Sequence, residues 1–401
     1  MNIAVFSKRT TFHKGFGGLE TQNKALCEGL VKQGHQITVF TPKFEIKLDS
    51  AEEKGVKYIF VPCEYRYLYS SSKNSWVNKS ATYFEKFHNE TKFDLVLAQS
   101  SSGIGIVKRK AELGVKVISI AHGTIISELR TRFKNVDSLY SLLMIIPDTG
   151  YAIVNFFSWQ RVFVHGSDKV IAVSNYVKSA LIDETYAPED KFEVIHNGLD
   201  IQSFLNKIGG SPQDDSNDTN PEEVRLLFVG RLVKEKGVDL LTKIFSEADF
   251  KDVYLDVIGG GPLEEKLKKR VKLLNLENRI IFHGKKSSDE VIAHYGSKKT
   301  KIFLFPTKRY EGFPMVLVEA MLSGLPVVAF NMGGVKDAVR DNETGYLIPE
   351  GENSYFKDRV LELINDADKR REFGLNAYKI ASDEFSLDAM INKYQKVINE
   401  V

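Results

Sequence analysis

Cysteine is scarce: Cys27 and Cys63 are the two in 401 residues, and they belong to no short motif. That excludes a disulfide framework and a multi-cysteine zinc site and points to a reducing, cytosolic compartment. Neither sign of charge predominates. Lysine plus arginine (55) against aspartate plus glutamate (53) leaves +2, which argues against a nucleic-acid partner. Long apolar runs are missing as well. No uninterrupted run reaches the roughly 18 residues that cross a bilayer, and Met1–Phe6 enters a strand pattern without the apolar leader of a signal peptide. The nearest stretch, 139–159, is interrupted by Pro147-Asp148-Thr149-Gly150. It is expected to form two core helices joined by a turn. Contact with a membrane surface is the alternative, because Arg130, Arg132 and Lys134 precede it and Arg161 follows.

What is present is alternation of short β-branched runs with amphipathic stretches, the pattern of βαβ units and parallel sheets. Strands are predicted at 3–6, 36–41, 58–61, 95–98, 116–121, 169–173 and 192–196, then again at 224–229, 253–258, 280–282, 302–305 and 326–329. Between the two sets, residues 206–223 (NKIGGSPQDDSNDTNPEE) are nearly devoid of apolar side chains and read as a linker. The chain length fits two domains. The expectation is an α/β protein of two doubly wound, Rossmann-like domains, with ligands beyond the carboxyl ends of the strands.

The most informative segment is 311–319, E-G-F-P-M-V-L-V-E. Glu319 is the one charged residue in the apolar run 315–322, and a buried carboxylate costs several kcal/mol unless something pairs with it. Pro314 suits a first helical position, and Gly324 with Pro326 marks the stop. The helix start at Phe313–Val316 would thus offer free N–H groups and a positive dipole end to a phosphate, flanked by the carboxylates of Glu311 and Glu319. Gly230-Arg231 ends a predicted strand, and Lys236-Gly237 lies five residues on, so arginine and lysine can converge on one diphosphate.

Other strand ends are weighed in the same way. Gly259-Gly260-Gly261 lacks the full dinucleotide fingerprint and suits a structural turn as well as a ligand. Gly15-Phe16-Gly17-Gly18 and His122-Gly123 end strands of the first half. Asp366-Ala367-Asp368 has a metal-like spacing but reads as a solvated helix start, and Cys27 reads as helix packing.

Taken together, Gly17-Gly18, His122-Gly123, I-A-V-S-N (171–175), H-N-G-L-D (196–200), G-R-L-V-K-E-K-G (230–237), E-x7-E (311–319), G-G-V-K-D-A-V (333–339) and N-E-T-G-Y-L (342–347) resemble the retaining nucleotide-sugar glycosyltransferases of family four, which share the two-domain GT-B fold. The resemblance implies a fold with the two domains facing a cleft. It also implies that the last helix returns to the first domain, giving 1–205 plus about 385–401 as an acceptor domain and 224–384 as the donor domain. By the same similarity Arg231 and Lys236 hold the donor diphosphate, Glu311 meets hydroxyls of the transferred sugar, and Glu319 binds ribose. Backbone at Gly312, Phe313, Pro314, Met315 and Val316 meets phosphate or sugar, Gly17 and Gly18 approach the donor, and His122 lies beside the reacting sugar. The implied activity needs no metal and no cofactor. It moves a hexose or N-acetylhexosamine from a nucleoside-diphosphate sugar, UDP-linked ahead of GDP-linked, to a saccharide or lipid-linked saccharide. A non-catalytic nucleotide-sugar-binding subunit and a sugar-nucleotide epimerase are the rival readings.

Overall fold

Two separate parallel sheets organise the chain. The structure is a computed structural model that describes all residues except 16, 65–72, 137, 213–223 and 298. It divides into two units, Met1–Leu129 with Ile146–Gly198 and Leu387–Val401, and Arg130–Ile145 with Leu199–Ser386.

The first unit holds β1 (Asn2–Phe6), β2 (Gln36–Pro42), β3 (Ser50–Glu53), β4 (Val56–Val61), β5 (Leu95–Gln99), β6 (Lys116–Ala121), β7 (Lys169–Ala172) and β8 (Phe192–Val194), in the order β3-β4-β2-β1-β5-β6-β7-β8. All pairings are parallel except β3 with β4. Phe6 stacks on Phe40, with Phe84 tilted against Phe6 and the buried Trp76 edge-on to it in the core. The C-terminal helix Leu387–Glu400 packs on helix Gly18–Lys32 of this unit so closely that a side chain at Gly29 would meet Ile391 at 2.4 Å.

The second unit holds β9 (Val224–Val229), β10 (Val253–Ile258), β11 (Ile280–Gly284), β12 (Thr300–Phe305), β13 (Val327–Phe330) and β14 (Gly345–Ile348), ordered β11-β10-β9-β12-β13-β14 and parallel throughout. Connections from β9 run outward on one side to β10 and from β12 on the other to β13. The crevice at the carboxyl ends of β9 and β12 is therefore a topological switch point, where open α/β sheets bind ligands.

Five features differ from the sequence expectation. β3 is a polar edge strand, and β14 is a four-residue strand opening on Gly345, too short to read as a separate run. The units divide after Gly198 instead of at 205, because helix Ile201–Ile208, capped by Asp200, packs Phe204 against Tyr295 of the second unit. Of the expected linker, 206–208 finish that helix and 213–223 lie outside the described residues. Residues 130–145 group with the second unit, where the Thr131 hydroxyl accepts from the Tyr310 N–H at 3.1 Å.

The expected pair of core helices is instead one helix, Leu139–Asn155, continuous through Pro147 and extended by a π-turn (Phe156–Gln160) into Arg161–Gly166. Proline removes one ladder bond but not the helix, because it stands on the exposed side. The Ser141–Gly166 run is long and apolar enough to cross a membrane by length and composition alone, which the interrupting Pro-Asp-Thr-Gly had argued against.

Candidate active site

Packing at the end of β9 presents Arg231 outward. The Gly230 N–H donates to the Ile258 carbonyl and the Leu232 N–H to the Gly260 carbonyl, both at 3.0 Å, while the fully buried Leu232 anchors the loop. Gly259 and Gly261 exist for this contact. A Cβ would fall 1.9 Å from the Gly230 oxygen at Gly259, whose φ is +136°, and 2.6 Å from the Leu232 oxygen at Gly261. The triple-glycine turn is thus a packing turn that positions Arg231. Arg231 itself is exposed and makes no ion pair among the described residues.

A 3-10 turn then carries Lys236 inward and closes at Gly237, with φ +67° and Pro306 pressed against it. The Lys236 ammonium lies 2.6 Å from Glu311 Oε1 and 5.5 Å above the Phe305 ring. Thr307 donates its hydroxyl to the same Oε1 at 3.0 Å, so Oε2 remains available to an incoming hydroxyl. The main chain of Glu311 is pinned by a parallel bridge to Gly333 and by the Gly334 N–H at 2.8 Å. Sequence reading named Lys236 and Glu311 separately and missed that they pair. It also missed Thr307 and the Gly333-Gly334 support, whose only signal was the G-G-V-K-D block.

After Glu311, Phe313 is buried against Phe385 and the chain enters helix Met315–Leu322. Pro314 is its N-cap and not its first helical residue, a shift of one position. Proline has no side-chain oxygen to cap the first turn, so the N–H groups at Met315 and Val316 have no side-chain cap and the helix dipole lies behind them. One turn in, Glu319 has no cation partner among the described residues. Burial pushes its carboxyl up to about 7, opposed by a hydrogen bond with the Tyr295 hydroxyl. The free protein thus answers the cost of this charge partly by raising its proton affinity.

In the first unit, Gly17 precedes helix Gly18–Lys32 and its N–H is held by Glu20 at 2.8 Å. Neither glycine has a positive φ. A Cβ at Gly18 would meet nothing within 4 Å, and one at Gly17 only the Glu20 carboxylate at 3.7 Å. These two glycines are not demanded by packing; they leave open space at a helix start. The expected result is that Gly18→Ala folds with an unfolding midpoint in urea close to that of the parent, whereas Gly259→Ala loses more than about 2 kcal/mol, since it combines a left-handed φ with a backbone clash.

His122 follows β6, and its Nε2 lies 2.6 Å from Gln99 Oε1. The Gln99 amide nitrogen is committed to Asn23 Oδ1 at 2.7 Å, so its carbonyl faces the ring and Nε2 carries the proton. Burial lowers the His122 pKa to about 4, leaving a neutral imidazole with Nδ1 as acceptor. Lys8, past the end of β1, was not anticipated. It contacts the Ser101 hydroxyl at 2.5 Å and the Trp159 face, and burial lowers its pKa to about 7. The remaining candidates are structural. Asp366 caps helix Ala367–Glu384 through the Lys369 N–H, Cys27 is buried in its helix, and the described residues hold no cluster of three metal-ligating side chains.

Comparison with known proteins bears on the family and the fold. Residues 16–203 match the model of Glycosyltransferase Family 4 and residues 212–380 that of Glycosyl transferases group 1. An uncharacterized glycosyltransferase, MJ1178 of Methanocaldococcus jannaschii, is 34% identical over 235 residues, 59% of this chain and 60% of that one, so the match spans about three fifths of that relative. Sucrose-phosphate synthase from Thermosynechococcus elongatus superimposes with a TM-score of 0.80 over 100% of this chain and 98% of its own at 18% identity. Anabaena Alr3699/HepE in complex with UDP-glucose does so at 0.73 over 100% of both chains at 19% identity.

Proposed function

The chain belongs to the group 1, family 4 glycosyltransferases and has their GT-B fold, and from that premise we propose that it moves a hexose or N-acetylhexosamine from a UDP-sugar to a hydroxyl of a saccharide or lipid-linked saccharide, with retention of anomeric configuration, at the cytoplasmic side. The observation that carries the reading is the group at the β9/β12 switch point: exposed Arg231, the Lys236–Glu311 pair and the uncapped start of helix Met315–Leu322.

Arg231 forks onto the diphosphate, and Lys236, held at Glu311, supplies a second positive charge. N–H groups of Met315 and Val316, reached through Gly312, Phe313 and Pro314, complete the anion site. Glu319 accepts from the ribose hydroxyls and Glu311 Oε2 from a sugar hydroxyl. Gly17 and Gly18 allow close backbone approach, and neutral His122 offers Nδ1 to a sugar hydroxyl. In the reaction the bond from the anomeric carbon to the β-phosphate oxygen breaks and its electron pair stays on that oxygen. The acceptor oxygen bonds to the same face of the carbon and its proton passes to the departing phosphate. Stabilising the charge on the leaving group is the protein's contribution, through side-chain cations and a helix start, without metal.

Proton NMR of the product made from a UDP-α-hexose tests this. An α-linked product is expected, and a β-linked one would remove the same-face route.

A further inference from the structure

Helix Leu139–Asn155 is amphipathic in the inverted sense. Leu139, Leu143, Ile146, Gly150, Ile153 and Phe157 recur at the three- and four-residue steps that define one helical face, and Leu142 and Val154 widen it. This apolar stripe is the outward one, with Leu139 73%, Ile146 62% and Phe157 61% exposed. Ser141, Asp148 and Asn155, seven residues apart, lie on the opposite side, half-buried or buried, with the buried Ile145 nearby. In a water-facing helix the polar set would be outside. A stripe of this size without a charged residue is a surface made for an apolar medium.

We infer that this stripe lies in the interface of an anionic phospholipid bilayer, with the helix parallel to the membrane plane. Three observations select a bilayer. Arg130 and Arg132, both exposed, precede the exposed Phe133 just ahead of the helix and bring positive charge that complements anionic headgroups. Trp159 and Tyr151 pair edge to face at the far end, the aromatic type that seats at the headgroup level. The Ser158 hydroxyl donates to the Val154 carbonyl at 2.6 Å and so needs no water. The helix lies on the bilayer and does not cross it. Its continuation buries Gln160, Phe163 and Val164 against the protein, so lipid cannot surround it.

Two tryptophans make the test direct. Trp76 is fully buried, whereas Trp159 is half-buried with Lys8 over its ring and Tyr151 edge to face with it, so a change of emission on binding reports on Trp159 and its surroundings. The protein is mixed with vesicles of phosphatidylglycerol and phosphatidylethanolamine, with and without brominated acyl chains, and with vesicles of phosphatidylcholine alone. Sedimentation with the anionic vesicles and quenching of emission by the brominated chains are expected, with weaker binding to phosphatidylcholine. Leu143→Glu/Ile146→Glu/Ile153→Glu replaces only exposed side chains and is expected to lower the bound fraction at least tenfold with unchanged far-UV circular dichroism and UDP affinity. Wild-type protein that stays in the supernatant and unquenched overturns the inference, whatever the variant does. A dimer seen by light scattering and abolished by the triple variant, without vesicle binding, also overturns it and makes the stripe a contact between copies. Neither readout involves glycosyl transfer, so it stands or fails apart from the donor-site reading.

Discussion

Lys236→Ala is expected to lower kcat/KM for glycosyl transfer by a factor on the order of 10² to 10³, the usual loss when one preorganised donor to a developing anion is removed. The same change is expected to destabilise the fold by about 1 to 3 kcal/mol, because Glu311 keeps only the Thr307 hydroxyl in a site where its side chain is 11% exposed. The two effects separate in a double variant. Lys236→Ala/Glu311→Gln no longer leaves a charge alone, so much of the stability returns in urea unfolding while turnover stays low. Lys236→Arg is not expected to restore full activity, since a wide planar guanidinium that pairs with Glu311 and stacks on the Phe305 ring places its charge differently from a compact ammonium. Full turnover by Lys236→Ala would remove the lysine from the chemistry.

Glu319→Gln is expected to stabilise the free protein at pH 8 while weakening it as a donor-binding protein. The folded-state pKa of Glu319 stands at about 7, above the ordinary 4.5. Below pH 4.5 the carboxyl is protonated in both states and costs nothing. Between 4.5 and 7 the unfolded chain ionises while the folded one still holds the proton, so stability falls as pH rises, and the full penalty is present above 7. A shift of this size corresponds to an upper bound of about 3 kcal/mol. Glutamine removes that term, so the variant's advantage in thermal midpoint should appear at pH 8 and vanish near pH 4.5. Donor affinity should move the other way, about 10-fold weaker or more, because a charged acceptor for hydroxyls is lost. A variant no more stable than the parent at pH 8 would show that Glu319 is not strained in the free state.

The strands were legible because most are short apolar runs between turn signals, and the strand ends carrying Arg231 and His122 followed from that, while Glu311 was read from the helix start that it precedes. What escaped the sequence depends on distance along the chain or on which side is covered. The Lys236–Glu311 pair joins residues 75 positions apart, and no local pattern announces it. Gly259–Gly261 and Gly17-Gly18 look alike as letters, yet the first turn is filled by the backbone of Gly230–Leu232 and the second opens onto empty space. Periodicity over 139–157 marks an apolar stripe, but periodicity cannot say whether protein or something else covers it, and Pro147 on the exposed side imitated a turn. Ser50–Glu53 was missed because an edge strand facing solvent needs no apolar alternation.

The central claim is that the carboxyl edge of the second sheet binds a nucleoside-diphosphate sugar through Arg231, Lys236 and the start of helix Met315–Leu322. Arg231→Ala tests it most directly, since this side chain is exposed and holds no ion pair among the described residues, so its loss should leave the fold untouched. Isothermal titration with UDP and a panel of UDP- and GDP-sugars is expected to give measurable binding to the wild type and at least tenfold weaker binding to the variant. Equal affinity in the two proteins, or no heat from any donor with the wild type, would contradict the account.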